Sequence, residues 1–259
     1  MTVVSVVTPS YNQVSFLDEC IYSIRNQTRS DLVEHILLDA GSTDGSLSIL
    51  EKHSDWLKYW HSRPDRGQSQ AINEGFRMAT GDIMCWINSD DALSSNAAEI
   101  MIAALDGIKE PAWAYGRSII IDQNSEMMGV GRLDKICSVC DVLRFHNHLM
   151  QPGVFWNRAM WDCAGTINEN LHYVMDFDLW LRFSKISPPI CIDKIIGVNR
   201  IHEDTKSSKG GLLIHKEISS VIRMHAMNNP IKNMAGHIDS KISTPSGVRN
   251  PQIIVMPPF

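Results

Sequence analysis

No run of apolar residues in the sequence approaches the ~20 positions that a helix needs to cross a bilayer. The first apolar run, Val3–Val7, follows Met1 without a basic leader or a cleavage site, so a secretory signal is not indicated either. We therefore expect a cytoplasmic protein, with peripheral attachment to a membrane surface left open.

An excess of positive charge is also missing. The 259 residues carry 24 Lys and Arg against 29 Asp and Glu, a formal net charge of -5. Such a balance provides no general attraction to a polymer of phosphates. Nucleic acid is therefore not an expected partner.

Cysteine is sparse and is not spaced for a structural metal. The six cysteines fit reduced thiols in a reducing compartment. Cys137 and Cys140 form one Cys-x-x-Cys, but neither a second pair nor a His-x3-His follows at the spacing of a zinc finger. Two ordinary buried thiols are the favoured interpretation of this pair.

Two glycine-rich phosphate-binding patterns are absent. No Gly-x-Gly-x-x-Gly follows the first predicted strand, and Gly-x4-Gly-Lys-Ser/Thr occurs nowhere. Dinucleotide oxidoreduction and P-loop phosphoryl transfer are therefore disfavoured. A protein without such a cradle can instead neutralise a diphosphate with a divalent cation that carboxylates hold.

Short apolar segments alternate with amphipathic ones in the first part of the chain. With 44% hydrophobic residues, the chain can bury the core of one large domain. The alternation predicts an α/β fold, with a mostly parallel central sheet and helices on both faces. The predicted strands are Val3–Thr8, Val33–Leu38, Trp56–Trp60 and Ile83–Ile87; the predicted helices contain Leu17–Ile24, Ser46–Lys52 and Ile72–Ala79, with Gly81 as the C-cap of the last helix.

The alternation is less regular further along the chain. From Asn228 onward, five prolines and little periodicity predict an irregular tail over residues 228–259. Before the tail, the pattern predicts strands at Trp113–Gly116, Ser118–Asp122, Gln151–Trp156 and Ile195–Arg200, and helices at Tyr173–Phe183 and Ile214–Ile222.

Small or acidic polar residues follow three of the predicted strands, at Thr8–Asn12, Asp39–Asp44 and Asn88–Asp91. The carboxyl ends of parallel strands meet at one edge of a sheet, where ligands of open α/β sheets bind, so these clusters predict a site there. Adjacent carboxylates at Asp90 and Asp91 suit a hard divalent cation. The alternative is a solvated turn before a helix that begins near Asn96.

Several motifs in a fixed order resemble one large enzyme family. They are similar to the inverting, nucleotide-sugar-dependent glycosyltransferases of family two, over about residues 3–206. The resemblance implies a GT-A fold of the nucleotide-diphospho-sugar transferase type. We accordingly expect one domain over 1–227, with a donor-binding part at about 1–110 and an acceptor-side part at about 111–227. The motifs are Val6–Asn12, Leu38–Ser46, Asp65–Gly75, Asn88–Asp91 and Met175–Arg182.

The resemblance also implies how a donor is bound. A tyrosine ring such as Tyr11 can stack on a nucleobase, and a carboxylate such as Asp39 can accept from a base N–H. Arg66 is implied to approach the ribose and phosphates, with an exposed loop arginine as the alternative. The implied donor is a nucleotide diphosphate sugar, with a UDP-sugar favoured. The residues implied to contact it are Thr8, Pro9, Ser10, Tyr11, Asp39, Arg66, Gln68, Asn88, Ser89 and Asp90.

Asn88-Ser89-Asp90 occupies the position of the family's Asp-x-Asp motif. Asp90 matches the metal-binding position, whereas Asn88 can hydrogen-bond a sugar hydroxyl but brings no charge. Asp91 is the neighbouring candidate ligand. His202 resembles a C-terminal histidine that reaches the metal or the diphosphate, a solvated or capped histidine being the alternative. The implied cofactor is a divalent metal, Mn²⁺ or Mg²⁺.

An inverting transfer needs one carboxylate to take the proton from the attacking hydroxyl. Asp176 and Asp178 are both candidates, but residues two apart on a helix point ~200° away from each other, so only one can face the substrate. Alignment with the family motif favours Asp176. Trp180 shares the face of Asp176, and we expect it in the core, with packing against a sugar ring as the alternative.

The predicted function is a metal-dependent inverting glycosyltransferase of the hexosyl or hexosaminyl type. Its implied acceptor is a saccharide or lipid-linked saccharide, in the assembly of a surface polysaccharide or glycolipid. Gln151 and Arg158 are weaker acceptor-side candidates, and Lys206 is a candidate phosphate contact. The alternatives are a nucleotidyltransferase, which would want a Gly-rich basic loop after the first strand, and a catalytically silent nucleotide-sugar-binding module.

Overall fold

Strands and helices alternate from the start of the chain, as the apolar pattern predicts. The computed structural model describes residues 1–145 and 149–227. The predicted tail, 228–259, lies outside the described residues. Among those described, no helix is both long enough and apolar enough to span a membrane.

The first four strands form a parallel sheet in the order β3-β2-β1-β4. β1 and β4 are buried along their whole length, because their apolar runs are covered on both faces. The strands are β1 (Val4–Ser10), β2 (Val33–Asp39), β3 (Tyr59–Ser62) and β4 (Ile83–Trp86), and the helices between them are α1 (Val14–Arg25), α2 (Ser46–His53) and α3 (Gln68–Met78).

Beyond β4 the sheet contains strands of both directions. The later strands are β5 (Ala92–Leu93), β6 (Trp113–Ile121), β7 (Met127–Val130), β8 (Val154–Asn157) and β9 (Ile190–Arg200). β8 pairs antiparallel with β4 and β6, β6 pairs parallel with β9, and β5 pairs antiparallel with β9. β7 forms a hairpin with β6. The later helices are α4 (Ala97–Leu105), α5 (Val139–Phe145), α6 (Arg158–Ala164), α7 (Met175–Ile186) and α8 (Lys206–Met227).

Helices cover both faces of this sheet. Neighbouring residues of β1 enter different hydrophobic clusters, because successive side chains of a strand point to opposite faces. Val7 belongs to the cluster that contains Phe76 of α3 and Trp180 of α7, whereas Val6 belongs to the cluster that contains Cys20 of α1 and α4 residues such as Met101. The predicted α/β fold is therefore confirmed.

Trp180 belongs to the core, as expected from the sequence. Its side chain is 1% exposed, and its ring stacks between those of Trp86 and Trp113, with centroid distances of 5.6 and 5.9 Å. Such aromatic contacts bury large apolar areas and add a specific stacking preference. The stack joins α7 to strands on both sides of β8.

Two glycines that resemble turn signals mark close backbone approaches instead. Gly116 lies inside β6, which runs unbroken where two strands were predicted, and a Cβ there would lie 2.3 Å from Ile196 Cγ1. Gly81 is not the C-cap of α3, which ends at Met78. Its N–H donates to Ser5 Oγ at 2.8 Å, and a Cβ would lie 2.5 Å from that oxygen. Glycine within a sheet is typical of such approaches.

Other predictions differ in detail. β3 begins at Tyr59, because Trp56 still belongs to the turn after α2, where its N–H donates to the His53 carbonyl at 3.0 Å. The two thiols of the Cys-x-x-Cys, Cys137 and Cys140, are exposed, so the prediction that they are buried is wrong. Cys137 precedes α5 and Cys140 lies in its first turn.

The contact between α3 and β1 leads to a stability prediction. A Cβ at Gly75 would lie 2.4 Å from Val7 Cγ1, so Gly75→Ala is expected to lower the free energy of unfolding by about 1–3 kcal/mol through overpacking. In a Val7→Ala background the same change should cost less, because the obstructing methyl groups are gone. Urea denaturation of the four proteins of this double-mutant cycle measures both effects. A neutral Gly75→Ala in the wild-type background would contradict the prediction.

Candidate active site

A cavity of about 890 Å³ opens where the parallel strands end. Its walls come from the ends of β1 and β4, from the loop before α3, from the start of α7, and from α8 with the segment before it. Of the site residues predicted from the sequence, those lining the cavity are Pro9, Ser10, Tyr11, Arg66, Gln68, Asn88, Ser89, Asp90, Asp91 and Asp176. Thr8, Asp39 and His202 do not line it.

Thr8 is fully buried within β1. It pairs with Leu37 of β2 in the parallel ladder, and its Oγ1 lies 2.9 Å from His35 Nε2. Because this part of the strand is covered on both faces, the Thr8 side chain turns toward the interior. The structure therefore does not bring Thr8 to the cavity with Ser10 and Tyr11, and Tyr11 stands at the rim with 60% of its surface exposed.

Asp39 anchors the loop that follows β2. Its Oδ2 accepts from the N–H groups of Gly41 and Ser42 at 3.1 and 2.8 Å and from Ser62 Oγ at 2.6 Å. Its Oδ1 accepts from Ser42 Oγ at 2.5 Å. Both oxygens already have donors and the residue is fully buried, so a base would have to displace one of these hydroxyls. The contact between Asp39 and a nucleobase stays a prediction.

The loop before α3 is tied to the rim of the cavity. Gln68 Nε2 donates to Asn88 Oδ1 at 2.6 Å, which links the start of α3 to the residues after β4. The Arg66 side chain is mostly exposed, and its guanidinium lies 3.0 Å from Glu169 Oε2. An exposed and weakly held guanidinium of this kind is free to turn toward an anion, because surface ion pairs contribute little stability.

The turn after β4 is braced from inside by Asp91. Asp91 Oδ2 accepts from Asn88 Nδ2 at 3.0 Å, and its Oδ1 accepts from the Arg200 N–H at 2.9 Å. Burial raises the pKa of the Asp91 carboxyl well above its usual range, and the neighbouring Asp90 charge adds to the effect. With both oxygens hydrogen-bonded, Asp91 is placed to hold the turn, and Asp90 is the better placed of the two to meet a cation.

Asp90, which lines the cavity, forms a pair with His202, which does not line it. Asp90 Oδ2 lies 3.1 Å from His202 Nε2, and the His202 ring rests on Phe16 with a centroid distance of 4.7 Å. In the part of the chain that the structure describes, no group of three or more His, Cys, Asp or Glu side chains is placed to hold a metal. Asp90 and His202 are therefore two candidate metal ligands within the described residues.

Arg200 is a site residue that the sequence did not reveal. Its side chain is 1% exposed and donates to the Asp90 carbonyl at 2.9 Å, the Asp122 carbonyl at 3.0 Å and Glu19 Oε2 at 2.7 Å. It thereby ties the Asp90 turn to the β6–β7 hairpin and to α1. Its position as the last residue of a predicted strand, two residues before His202, was the available signal, but an exposed arginine would show the same pattern.

Asp176 and Asp178 face in different directions, as the helical spacing predicts. Asp176 lines the cavity, and burial raises the pKa of its carboxyl to about 6. Lys206, whose ammonium opposes part of this rise, lines the same wall. Asp178 is instead bonded to Arg182 and His225, with its Oδ1 2.7 Å from His225 Nε2. The structure thus brings only Asp176 to the cavity.

The two weaker acceptor-side candidates, Gln151 and Arg158, lie in different parts of the structure. Gln151 lines the cavity, and its Nε2 donates to the Trp86 carbonyl at 2.6 Å. Arg158 does not line the cavity: its guanidinium donates to the carbonyls of Ala79 and Gly81, at 3.0 and 2.6 Å. These carbonyls precede β4, at the amino end of the strand, so the expectation that Arg158 reaches the acceptor side is not met.

The architecture matches solved glycosyltransferases. Residues 1–349 of TarS from S. aureus, solved in complex with UDP-GlcNAc, superpose with a TM-score of 0.71 at 18% identity, covering 87% of this chain and 66% of that one. The mannosyltransferase PcManGT from Pyrobaculum calidifontis, in complex with GDP-Man and Mn²⁺, gives a TM-score of 0.62 at 16% identity, covering 92% and 69%. The predicted GT-A fold is therefore confirmed.

The family follows from sequence comparison. The model of glycosyl transferase family 2 matches residues 5–155, and the chain belongs to that family. Chondroitin synthase from Escherichia coli is 29% identical over 219 residues, which cover 83% of this chain but 31% of the synthase. The protein is therefore a glycosyltransferase, as the motifs predicted. The family match ends before α7, so it includes Asp90 but neither Asp176 nor His202.

The contacts of Arg200 lead to a prediction about the stability of the site. Arg200→Lys is expected to lower the free energy of unfolding by about 2–4 kcal/mol, because a single ammonium cannot satisfy all the buried acceptors that the guanidinium serves. Glu19→Gln is the matched control: the Glu19 side chain is 46% exposed, so the change should cost less than about 1 kcal/mol. Chemical denaturation measures both variants. Equal costs would show that the ion pair, and not the carbonyl contacts, carries the stabilisation.

Proposed function

We propose that the protein transfers a sugar from a nucleotide diphosphate sugar to an acceptor hydroxyl, with inversion at the anomeric carbon and with the help of a divalent metal. One observation carries the proposal: the Asp90 turn at the end of β4 and the Asp176 carboxylate at the start of α7 face the same cavity. We assign the Asp90 turn to the diphosphate end of the donor and Asp176 to the removal of the proton from the acceptor hydroxyl. Membership of the family supports the donor class.

The donor is proposed to lie along the ends of β1 and β4. Pro9, Ser10 and Tyr11 form the wall for the base, and Arg66 and Gln68 border the place of the ribose and phosphates. The complexes of TarS with UDP-GlcNAc and of PcManGT with GDP-Man support a nucleotide sugar, and a UDP-sugar is the favoured choice. We propose that residues at about 1–110 form the donor-binding part and that residues at about 111–227 form the acceptor-side part.

Asp90 and His202 are proposed to hold the metal. A carboxylate oxygen and an imidazole nitrogen only 3.1 Å apart can both meet one ion, and this donor set accommodates Mn²⁺ or Mg²⁺. Two protein ligands leave most coordination positions of the ion to oxygens of the nucleotide-sugar donor and to water. We therefore expect the protein to retain metal weakly when no sugar donor is bound. When bound, a divalent cation supplies positive charge that stabilises the departing diphosphate.

Asp176 is proposed to be the catalytic base. A direct displacement at the anomeric carbon inverts its configuration and needs one group that accepts the proton of the attacking hydroxyl. With a pKa of about 6, Asp176 is ionised at neutral pH and is more basic than a solvated carboxylate. Lys206, on the same wall, provides a fixed positive charge near the phosphates.

The acceptor is proposed to be a saccharide or a lipid-linked saccharide. The likeness to chondroitin synthase supports the assembly of a polysaccharide, and a glycolipid is the second possibility for the same chemistry. The acceptor must reach Asp176 from the side of α7 and α8, where Gln151, Tyr173 and Thr205 offer polar groups among apolar neighbours.

The first test is a donor panel with and without metal. Purified protein is incubated with UDP- and GDP-sugars and Mn²⁺ or Mg²⁺, and release of the nucleoside diphosphate is followed with and without EDTA. We expect one donor to be turned over only with metal, and Asp90→Ala to abolish this turnover. Asp55→Ala, which removes an exposed carboxylate in the turn after α2, serves as the control. Binding of a donor without any turnover would favour a silent binding module.

The second test concerns the proton acceptor. Asp176→Asn should lower kcat about 10²- to 10⁴-fold, because the proton has no acceptor. In the wild type, activity should fall as the pH drops through about 6, where Asp176 becomes protonated. Because its folded-state pKa lies above the unfolded value, the Asp176 charge opposes folding above the unfolded pKa. Asp176→Asn should therefore melt at or above the wild-type temperature at pH 7.5. An inactive variant that melts lower would point to misfolding instead.

A further inference from the structure

Glu217 of α8 reaches across to the segment that precedes α7. Its Oε1 accepts from the His172 N–H at 3.0 Å, and its Oε2 accepts from the N–H groups of Tyr173 and Val174 at 2.8 and 3.2 Å. One carboxylate thus collects three consecutive backbone donors. The family match ends at residue 155, so this arrangement lies outside the part of the chain that the family model matches.

The last of these donors, Val174, is the N-cap residue of the helix that carries Asp176, and the other two precede that helix. The first N–H groups of an α-helix have no partner within the helix, and a negative charge near them is favoured by the helix dipole. Val174, the N-cap residue of α7, supplies no side-chain acceptor. Glu217, from α8, accepts from the N-cap N–H and from the two N–H groups before it, and Asp176 follows in the first turn.

Lys206 contacts the same segment as a hydrogen-bond donor, whereas Glu217 contacts it as an acceptor. Its Nζ donates to the His172 carbonyl at 3.2 Å, so α8 contributes a donor and an acceptor to one short stretch of backbone. Between Lys206 and Glu217 the helix is kinked at Gly211, whose φ of +45° lies in the left-handed region. The preceding Gly210 packs closely, since a Cβ there would lie 2.9 Å from Tyr173 Cε1. Residues on both sides of the kink thus contact the segment.

We propose that Glu217 is a positioning residue for the transfer reaction: by holding the N–H groups of residues 172–174, it fixes the Asp176 carboxylate where the acceptor hydroxyl arrives. The inference rests on the proposed role of Asp176. Its physical basis is the steep dependence of proton transfer on placement, since a displacement of the base by about 1 Å can cost on the order of 10²-fold in rate. Glu217 does not line the cavity, so we expect no direct contact between its side chain and the donor.

The test compares Glu217→Ala with Glu217→Gln, which keeps an oxygen acceptor but not the charge. Turnover of UDP-GlcNAc or GDP-Man is measured per folded enzyme, with donor affinity by calorimetry. We expect kcat to fall about 10- to 100-fold in Glu217→Ala and less in Glu217→Gln, while the donor Kd stays within about twofold. Lys216→Ala, an exposed neighbour on α8, and Glu51→Gln, an exposed glutamate of α2, should leave both quantities unchanged.

Hydrogen–deuterium exchange of the whole protein gives a readout that does not depend on turnover. Amides of residues 172–174 should exchange several-fold faster in Glu217→Ala than in the wild type, and at an intermediate rate in Glu217→Gln. Faster exchange with unchanged kcat would overturn the positioning role, and so would a loss of kcat accompanied by an equal loss of donor affinity.

The Asp176→Asn variant separates this inference from the proposed function. If Asp176→Asn is inactive and Glu217→Ala is fully active, only the role of Glu217 is wrong. If Asp176→Asn keeps full turnover, or if the wild type turns over none of the UDP- and GDP-sugars of the panel, the proposed function is wrong and the positioning role falls with it.

Discussion

The shared direction of the first four strands is the constraint on which the site depends. Because β1, β2, β3 and β4 run parallel, the residues that follow them emerge at one edge of the sheet. Tyr11 and Asp90 are far apart along the chain, yet they face one cavity for this reason. If β4 ran antiparallel to β1, Tyr11 and Asp90 would lie at opposite edges of the sheet.

The mixed half of the sheet closes the cavity with residues from much later in the chain. α7 carries Asp176 and β9 leads into His202, so the candidate base and a candidate metal ligand arrive only when the two halves meet. Two buried contacts join the halves: the stack of Trp180 on Trp86 and Trp113, and the guanidinium of Arg200 on the turn at Asp90. Trp86, Trp180 and Arg200 all line the cavity, so the chemistry of the site depends on the packing of its own wall.

Much of the fold could be predicted because apolar spacing reflects burial. The fully buried strands β1 and β4 are continuous apolar runs, and the residues after them were placed correctly at the cavity. Gly81 was predicted as a helix C-cap but packs against Ser5, since a glycine needed for a turn and a glycine needed for close approach look alike in sequence. Thr8 belongs to a family motif but turns inward, because register within the strand, and not motif membership, decides its face.

The sequence by itself determined the α/β class, the family and the separation of Asp176 from Asp178, because each depends on local periodicity or on short motifs. Only the tertiary structure decided that Asp39 is enclosed by its own loop, that Arg200 is buried behind Asp90, and that Glu217 accepts from the backbone before α7. The physical reason is that these hydrogen bonds join segments whose relative placement follows from the packing of whole helices and strands, which no local pattern encodes.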